Sequence, residues 1–271
     1  MPELPEVETI RRGLAAELTG ARIAAVEQRR RELRFPMPER LASRLEGRVV
    51  TGFARRAKYL LAALDDGWTL LLHLGMSGRL LLDGPPRGPH EHLTLGFEGG
   101  RLLRLVDPRR FGAVDLWPTA RLGEHPLLRG LGLEPLGPEF GTAVLLELLH
   151  GRRTPLKSAL MDQRLVVGIG NIYANEALFR ARLSPRRLAL TVGPERAERL
   201  ARSVREVLLE AIEKGGTSLR DYVQADGTLG SFQNDFLVYE RAGEPCPACG
   251  RPIRRIVLCG RATYFCSRCQ R

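Results

Sequence analysis

Apolar residues in the first half of the chain recur at the short spacing typical of β-strands. Eight segments carry this pattern: 22–27, 49–53, 59–64, 68–72, 80–82, 93–97, 102–106 and 113–117. Turn-forming residues such as Asp65-Asp66-Gly67 and Gly99-Gly100 separate them, which is typical of hairpins. Many short strands without intervening helices predict a β-sandwich or barrel.

Helical spacing occurs on both sides of this region. Val7, Ile10, Leu14 and Leu18 predict a first helix that ends at a Thr-Gly turn. Beyond a Pro- and Gly-rich segment at 118–141, further helices are predicted over 143–149, 154–161, 171–182 and 194–214. We therefore expect an α+β fold. Its predicted parts are a β-sandwich domain preceded by a helix (1–130), a helical domain (131–238) and a small C-terminal domain (239–271).

The composition indicates an anionic partner. The 271 residues suffice for two domains with separate cores, and they carry a formal net charge of +11 with a pI near 10.2. Most basic residues are arginines, which bind phosphate groups through two parallel hydrogen bonds, so we expect a nucleic acid. The sequence has no basic-then-apolar leader and no apolar run of membrane length. We expect a soluble, cytoplasmic protein without a membrane partner.

All five cysteines lie near the C-terminal end. Cys246-x-x-Cys249 and Cys266-x-x-Cys269 are separated by sixteen residues, a spacing that predicts one structural zinc ion rather than a disulfide or free thiols. Cys259, between the two pairs, is expected to be a small core residue and no ligand. Six arginines and no acidic residue lie in this segment, so even a zinc tetrathiolate of charge −2 leaves it near +4. Such a segment suits a phosphate backbone.

The first eight residues, Met-Pro-Glu-Leu-Pro-Glu-Val-Glu, allow two interpretations. If Met1 is removed, Pro2 gains a free secondary amine that is appreciably unprotonated near neutral pH and can attack an electrophilic carbon. Glu3 would then supply a proton donor or acceptor beside the nucleophile. Alternatively, Pro5 and the glutamates simply begin a helix, because proline suits the first turn and carboxylates interact favourably with its positive dipole end. These residues alone favour the helix start.

Motifs along nearly the whole chain resemble those of the bacterial formamidopyrimidine-DNA glycosylases. The resemblance begins with Pro-Glu-Leu-Pro-Glu-Val-Glu-Thr at 2–9 and ends with the four-cysteine finger. Between them, in the same order, lie Arg-Arg-Ala-Lys-Tyr-Leu (55–60), His-Leu-Gly-Met-Ser-Gly (73–78), Asp-Pro-Arg-Arg-Phe-Gly (107–112), Leu-Val-Val-Gly-Ile-Gly-Asn-Ile-Tyr (165–173) and Arg-Ala-Thr-Tyr-Phe-Cys (261–266). The occurrence of all these motifs in the order of the family outweighs the preference for a simple helix start, and it favours Pro2 as a nucleophile.

The resemblance implies a bifunctional DNA glycosylase and abasic-site lyase of base excision repair. Pro2 would attack C1′ of the damaged nucleotide, expel the base and form an iminium, after which β- and δ-elimination cut the strand. Glu3 would act as acid and base around the sugar. Lys58 matches a lysine near the reacting phosphate and base, and Arg261 matches an arginine that clamps the phosphates beside the lesion and assists the second elimination. Leu4 favours the branch that acts on oxidised purines, such as 8-oxoguanine and formamidopyrimidines.

The same resemblance implies residues that fill the gap left by a nucleotide flipped out of the duplex. Met76, Arg109 and Phe111 occupy the matching positions, with Arg109 bonding the orphaned base, preferably cytosine. Without the resemblance, Met76 and Phe111 would be assigned to strand cores. The segment 215–222 corresponds to the loop that closes over the flipped base.

Further DNA contacts are implied at His90, Arg152 and Lys157, and at Asn171 in the turn of a helix–two-turn–helix element, where amide groups would hold a phosphate. The implied partner is damaged double-stranded DNA. The protein would work as a monomer at the bacterial nucleoid without an obligate protein partner. Two alternatives are a pyrimidine-directed enzyme of the endonuclease VIII branch and a non-catalytic zinc-containing DNA-binding protein. The presence of both Pro2 and Glu3 argues against the second alternative.

Overall fold

A computed structural model describes residues 2–84, 88–218 and 225–271. The chain divides into two compact units. The first comprises Met1–Arg129 together with Lys214–Ser231, and the second comprises Gly130–Glu213 together with Phe232–Arg271. Among the residues that the structure describes, no helix combines the length and the hydropathy needed to cross a bilayer.

The first unit begins with helix α1 (Leu4–Leu18) and contains two antiparallel sheets. Its strands are β1 (Ile23–Gln28), β2 (Val50–Arg56), β3 (Tyr59–Leu64), β4 (Trp68–His73), β5 (Arg79–Leu82), β6 (Glu91–Phe97), β7 (Leu102–Val106) and β8 (Ala113–Pro118). One sheet has the order β1-β6-β7-β5, and the other has the order β2-β3-β4-β8. All eight predicted strands are present, with ends that differ by up to three residues from the prediction.

One hydrophobic core lies between the two sheets of the first unit. Alternate residues of a strand point to one face of its sheet. The inward leucines of both sheets, such as Leu60 of β3 and Leu105 of β7, are buried in one cluster. Ile10 and Leu14 of α1 join that cluster. Burial of each such side chain stabilises the fold by about 1.5–3 kcal/mol. The predicted β-sandwich with a preceding helix is therefore confirmed.

A short helix, α2 (Leu41–Leu45), interrupts the run of strands and was not predicted. It spans five residues, which is too short for a helical period to be visible in the sequence. Leu41 and Leu45 are buried and extend the core of the sandwich. The expectation of strands without any intervening helix is thus wrong at this point.

The second unit contains four helices and a β-hairpin. The helices are α3 (Thr142–Leu149), α4 (Leu156–Met161), α5 (Asn171–Arg180) and α6 (Pro194–Glu213), and the hairpin pairs β9 (Arg254–Leu258) with β10 (Arg261–Phe265). The apolar face of α6, for example Leu200, Val204 and Val207, is buried as its period predicts. The predicted helices are all present, and the α+β class is confirmed.

The segment Lys214–Ser231 belongs to the first unit, whereas the predicted domain boundaries assign it to the helical domain. Thr217 and Ser231 form an antiparallel bridge at its base. The side chain of Ala225 lies in the core of the sandwich, and its carbonyl oxygen accepts a hydrogen bond of 2.7 Å from the Leu82 N–H. Residues 219–224, which include the second half of the predicted loop over the flipped base (215–222), lie outside the described residues.

Candidate active site and metal centre

Glu3 and Glu6 cap the start of α1 reciprocally. The backbone N–H of Glu3 donates a hydrogen bond of 2.7 Å to Oε2 of Glu6, and the Glu3 carboxylate accepts one from the Glu6 N–H. Glu3 is only 3 % exposed. This arrangement satisfies N–H groups that a helix start leaves without partners, so the helix-start interpretation of the acidic residues is confirmed. It also fixes the Glu3 carboxylate directly after Pro2, which is buried.

Glu6 also binds the segment that returns from the end of α6. Its Oε1 accepts a hydrogen bond of 2.9 Å from the Thr217 N–H. Gly230 runs against the same segment so closely that a Cβ would lie 2.3 Å from the Gly216 carbonyl oxygen. A glycine is therefore required there, and the root of the predicted loop is held beside the N-terminal residues of the chain.

Lys58 lies in the tight turn between β2 and β3. The preceding residue, Ala57, has a left-handed φ of +53°, and its carbonyl oxygen accepts a hydrogen bond of 2.9 Å from Nη1 of Arg55. Glu8 of α1 in turn accepts a bond of 3.2 Å from Nε of Arg55. Burial alone would raise the pKa of Glu8, but hydrogen bonds from Arg11 and the Arg55 charge lower it overall. This chain of contacts fixes the position of Lys58, which is 8 % exposed.

His73, at the end of β4, was not singled out from the sequence as a site residue. Burial lowers its pKa to about 4, with further contributions from the positive charges of Lys58 and Arg34. The ring is therefore neutral at pH 7, and Nδ1 accepts a hydrogen bond of 3.1 Å from the Gly75 N–H. The neutral ring must then carry its proton on Nε2, which makes His73 a hydrogen-bond donor without a charge. His73 could have been identified from the sequence, because it begins the motif at 73–78 that also contains Met76.

Met76 and Phe111 lie on two loops and are exposed by 38 % and 43 %, so they are not strand-core residues. The guanidinium carbon of Arg109 lies 4.7 Å from the centre of the Phe111 ring, a cation–π distance. Large apolar side chains at loop tips cost free energy in water unless a partner covers them. The three predicted gap-filling residues therefore occur on adjoining loops of the first unit.

The buried carboxylate of Asp107 holds these two loops together. Its Oδ1 accepts a bond of 2.7 Å from the Ser77 hydroxyl, and its Oδ2 accepts one of 2.8 Å from the Gly112 N–H. The Arg109 N–H donates to the same Ser77 oxygen at 3.2 Å. Gly75 approaches the Phe111 backbone so closely that a Cβ would lie 2.4 Å from the Phe111 carbonyl carbon. The loops that carry Met76, Arg109 and Phe111 are thus interlocked.

The other predicted DNA-contacting side chains of the two units are mostly exposed. His90 lies in a short 3₁₀ turn of the first unit, and Arg261 begins β10 at the tip of the hairpin. Arg152 follows α3, and its Nε donates a bond of 2.7 Å to the Leu148 carbonyl oxygen. This bond leaves the outer nitrogens of Arg152 for an anion.

Lys157, which the resemblance predicts as a DNA contact, is buried. It is 1 % exposed, and its Nζ donates to Oδ1 of Asn171 at 2.6 Å, to the Ala262 carbonyl oxygen at 3.0 Å and to Oγ1 of Thr263 at 2.7 Å. An ammonium group has three donor hydrogens, so these bonds use all of them. Lys157 therefore ties the start of α5 to the hairpin that carries Arg261 and has no hydrogen left for a phosphate.

Asn171 stands at the first position of α5, as its predicted place in the turn requires. Its Oδ1 accepts the bond from Lys157, and its Nδ2 donates a bond of 3.0 Å to the Ala262 carbonyl oxygen. One amide hydrogen remains for a ligand at the positive end of the helix dipole.

The four predicted zinc ligands come together. The Sγ atoms of Cys246, Cys249, Cys266 and Cys269 all lie within 4.8 Å of one another, with 3.9 Å between Cys246 and Cys269 and 3.5 Å between Cys249 and Cys266. Four thiolates about 2.3 Å from a tetrahedral zinc ion would lie about 3.8 Å apart, so the geometry fits one structural zinc ion. These distances are too long for disulfide bonds.

Cys259 lies outside this cluster, as expected for a residue that is no ligand, but it is no core residue. It is exposed in the turn of the hairpin and has a left-handed φ of +47°. A residue between two strands of a short hairpin reaches the tip, where no core exists to bury it. The expectation of a small core residue is therefore wrong.

Comparisons with known proteins agree with this arrangement. Family models match the formamidopyrimidine-DNA glycosylase N-terminal domain at residues 1–114, the formamidopyrimidine-DNA glycosylase H2TH domain at 131–223 and the zinc finger found in FPG and IleRS at 243–271. With the cysteine geometry, the last match establishes a structural zinc site.

Relatives and solved structures cover the whole chain. The formamidopyrimidine-DNA glycosylases of Beijerinckia indica and Acidiphilium cryptum are 54 % and 52 % identical to it, over 100 % of both chains in each case. The crystal structure of the MutM (Fpg) protein from Thermus thermophilus is 47 % identical, with a TM-score of 0.88 over 99 % of this chain and 98 % of that one. A Lactococcus lactis FPG mutant in complex with DNA containing Fapy-dG is 36 % identical over 100 % of both chains, with a TM-score of 0.92. The chain belongs to the formamidopyrimidine-DNA glycosylase family.

Proposed function

We propose that this protein is a bifunctional DNA glycosylase and abasic-site lyase that removes oxidised purines from duplex DNA in base excision repair. The observation that carries the proposal is the N-terminal geometry. A buried proline at position 2 is followed by a carboxylate, that of Glu3, which the first turn of α1 holds in place.

In the proposed reaction, removal of Met1 first frees the Pro2 amine, which forms a bond to C1′ of the damaged nucleotide as the bond from C1′ to the base breaks. Proline reaches a positively charged iminium without a further proton, and Glu3 donates and accepts protons around the opening sugar. The iminium acidifies the neighbouring C–H bonds, so β- and then δ-elimination break the phosphate ester bonds on both sides of the lesion.

The charges of the two units support this proposal. In the first unit, the Lys58 ammonium can attract a phosphate, and the neutral His73 can donate a hydrogen bond to it. In the second unit, the remaining amide hydrogen of Asn171 and the exposed guanidinium groups of Arg152 and Arg261 can bind phosphates of a strand. We propose that Met76, Arg109 and Phe111 fill the gap of the flipped nucleotide.

Solved structures of relatives support DNA lesions as substrates. Lactococcus lactis Fpg proteins have been solved with DNA containing Fapy-dG and with DNA containing an abasic site. The same enzyme has also been solved with DNA containing an oxidised pyrimidine. Duplexes with 8-oxoguanine, formamidopyrimidine and an oxidised pyrimidine should therefore be compared at equal enzyme concentration. Faster cleavage of the pyrimidine duplex would contradict a preference for purines.

Borohydride trapping tests the nucleophile. Incubation with lesion duplex and borohydride should give one covalent adduct, and peptide mapping should locate it at Pro2. An adduct located at Lys58, or strand cleavage without any adduct, would contradict the proposal.

Three variants complete this experiment. Pro2→Gly should slow base release but leave the binding of lesion duplex largely intact. Glu3→Gln should slow it about 10²–10⁴-fold, as is usual for the loss of a general acid or base. Pro36→Gly changes an exposed proline of the first unit and should keep the wild-type rate.

We propose further that the protein acts as a monomer on the DNA of the cytoplasmic nucleoid. All candidate residues of both units occur in one chain, so no second copy is needed to complete the chemistry. Sedimentation of the protein with and without a short lesion duplex tests this point. A dimer that forms on one duplex would contradict it.

A further inference from the structure

Five arginines line a groove of about 600 Å³ in the second unit. They are Arg182, Arg196, Arg199, Arg268 and Arg271. We call this feature the arginine groove. Its walls come from the loop after α5, from the N-terminal half of α6 and from the zinc finger, and no acidic residue is among its lining residues.

The charge of the arginine groove is poorly compensated within the described part of the chain. Arg199 has an ion pair with Glu195, whereas Arg182, Arg196 and Arg268 have no described carboxylate within 4.0 Å. Burial, and then the nearby charge of Arg196, lower the pKa of Arg187, which lies outside the groove lining. Against the five positive charges, the Glu195 carboxylate and a zinc tetrathiolate of charge −2 together supply three negative charges, so the groove keeps a net charge near +2. The positive charge of the groove is thus larger than the negative charge of the zinc centre.

The arginine groove lies at the opposite end of α5 from the predicted phosphate contacts. Helix α5 runs beside strand β10: Asn171 donates a hydrogen bond to the Ala262 carbonyl oxygen, and Asn175 accepts one from the Tyr264 N–H. Just beyond the ends of both elements, the Gln270 side chain donates one to the Leu183 carbonyl oxygen. Since a helix rises about 1.5 Å per residue, about 15 Å separates the start of α5 from the groove. A single phosphate therefore cannot contact both Asn171 and the groove.

We propose that the arginine groove binds the phosphate backbone of a second DNA duplex while a lesion duplex occupies the opposite end of α5. Guanidinium groups suit this ligand because each can bind two phosphate oxygens in parallel, and several in a row can follow a strand. A protein with two such sites passes directly from one DNA segment to another through a ternary complex. Direct transfer would shorten the search for rare lesions, because the protein does not have to dissociate into solution first.

Dissociation measurements test this proposal. The full-length zinc-loaded protein is bound to a short labelled lesion duplex and mixed rapidly with increasing concentrations of unlabelled undamaged duplex. Direct transfer requires the observed dissociation rate of the wild-type protein to rise with competitor concentration. The triple variant Arg182→Ser, Arg196→Ser, Arg268→Ser should dissociate at a rate that does not depend on competitor. Its affinity for the short lesion duplex alone should stay within about twofold of the wild type, since phosphate contacts at the other end are unchanged.

A matched control removes the same charge elsewhere. The variant Arg12→Ser, Arg121→Ser, Arg202→Ser changes three exposed arginines outside the groove and should keep the competitor dependence. The salt dependence of ternary-complex formation should also weaken in the groove variant alone, by about 0.9 in the logarithmic slope for each phosphate that the groove no longer binds. Zinc content and thermal unfolding verify that both variants are folded.

Two results would overturn the proposal. One is a wild-type dissociation rate that is independent of competitor, because then no second duplex binds. The other is an equal competitor dependence in the groove variant, the control and the wild type, because then a second duplex binds elsewhere. Neither readout needs strand cleavage, so failure of the proposed chemistry would leave the test intact.

Discussion

The Glu6 carboxylate accepts a hydrogen bond of 2.9 Å from the backbone N–H of Thr217, which is 211 residues further along the chain. Its other oxygen accepts the N–H of Glu3 at 2.7 Å. One buried side chain thereby fixes both the residue proposed as acid and base and the root of the segment after α6. The helix start and the site are built from the same contacts.

Replacement of Glu6 should impair both stability and chemistry. Glu6→Ala leaves two buried N–H groups without an acceptor, at a cost of about 1–3 kcal/mol for each in the free energy of unfolding. Because Glu3 loses its anchor, we expect the single-turnover rate constant of base release to fall by a larger factor than the affinity for lesion duplex. Urea unfolding and single-turnover kinetics measure the two effects. Glu98→Gln, an exposed glutamate, is the control, and a Glu6→Ala protein with wild-type stability and rate would contradict this role.

The contact between Ser77 and Asp107 predicts a separate effect on lesion recognition. Ser77→Ala removes a hydrogen bond to a carboxylate, worth about 1.5–3 kcal/mol, and frees the Arg109 N–H from its partner. The interlocked loops should then hold the gap-filling residues less firmly. We expect weaker binding of lesion duplex, by about tenfold for each 1.4 kcal/mol lost, but unchanged binding of undamaged duplex, which depends on phosphate contacts.

Binding titrations of both duplexes measure this selectivity. Ser43→Ala, at an exposed serine of α2, controls for the loss of a hydroxyl group. An equal loss of affinity for damaged and undamaged duplex in Ser77→Ala would show that the loops act only through general DNA binding.

Much of the fold follows from local pattern, and the exceptions have physical reasons. Leucines at alternate positions, such as Leu60, Leu103 and Leu105, define strands because burial of one face dominates the free energy of folding. The four zinc ligands are visible because metal geometry fixes their spacing. The place of Thr217 in the first unit is not visible, since it depends on a bond to Glu6, which is distant in sequence.

The site residues likewise divide into those that local sequence identifies and those that depend on tertiary contacts. Motif positions identified Lys58, Met76 and Phe111, and the structure places each at a turn or loop of the first unit. The environment of Lys157 could not be read from the sequence, because a lysine on a short helix is normally solvated and only the tertiary fold supplies its three acceptors. His73 was missed for a related reason: its low pKa arises from burial and from charges on other turns.

His73 predicts a specific pH dependence of stability. Its pKa is about 4 in the folded protein, through burial first and the charges of Lys58 and Arg34 second, against 6.5 when exposed. Above pH 6.5 the ring is neutral in both the folded and the unfolded state, so it contributes nothing to the pH dependence of the free energy of unfolding. As the pH falls from 6.5 to 4, only the unfolded chain binds the proton, so the folded state loses about 3 kcal/mol of stability from this group.

His73→Gln should therefore flatten the pH profile of the free energy of unfolding between pH 6.5 and 4 relative to the wild type. Denaturant titrations across this range measure the difference. His150→Gln, at an exposed histidine, should leave the wild-type profile unchanged. A His73→Gln profile parallel to that of the wild type would show that the histidine is not held neutral by its surroundings.

Lys157 and Arg152 should respond differently when each is replaced, although both were predicted to contact DNA. Lys157→Met leaves up to three acceptors without a donor, at about 1–3 kcal/mol for each that stays buried, so the free energy of unfolding should fall strongly. Arg152→Met should leave stability nearly unchanged but lower the logarithmic salt slope of DNA binding by about 0.9, as expected when one phosphate is no longer bound. Parallel unfolding and salt titrations separate the two roles. If Lys157→Met instead lowered the salt slope by the same amount at unchanged stability, its ammonium would bind a phosphate and could not serve as the tie between α5 and the hairpin.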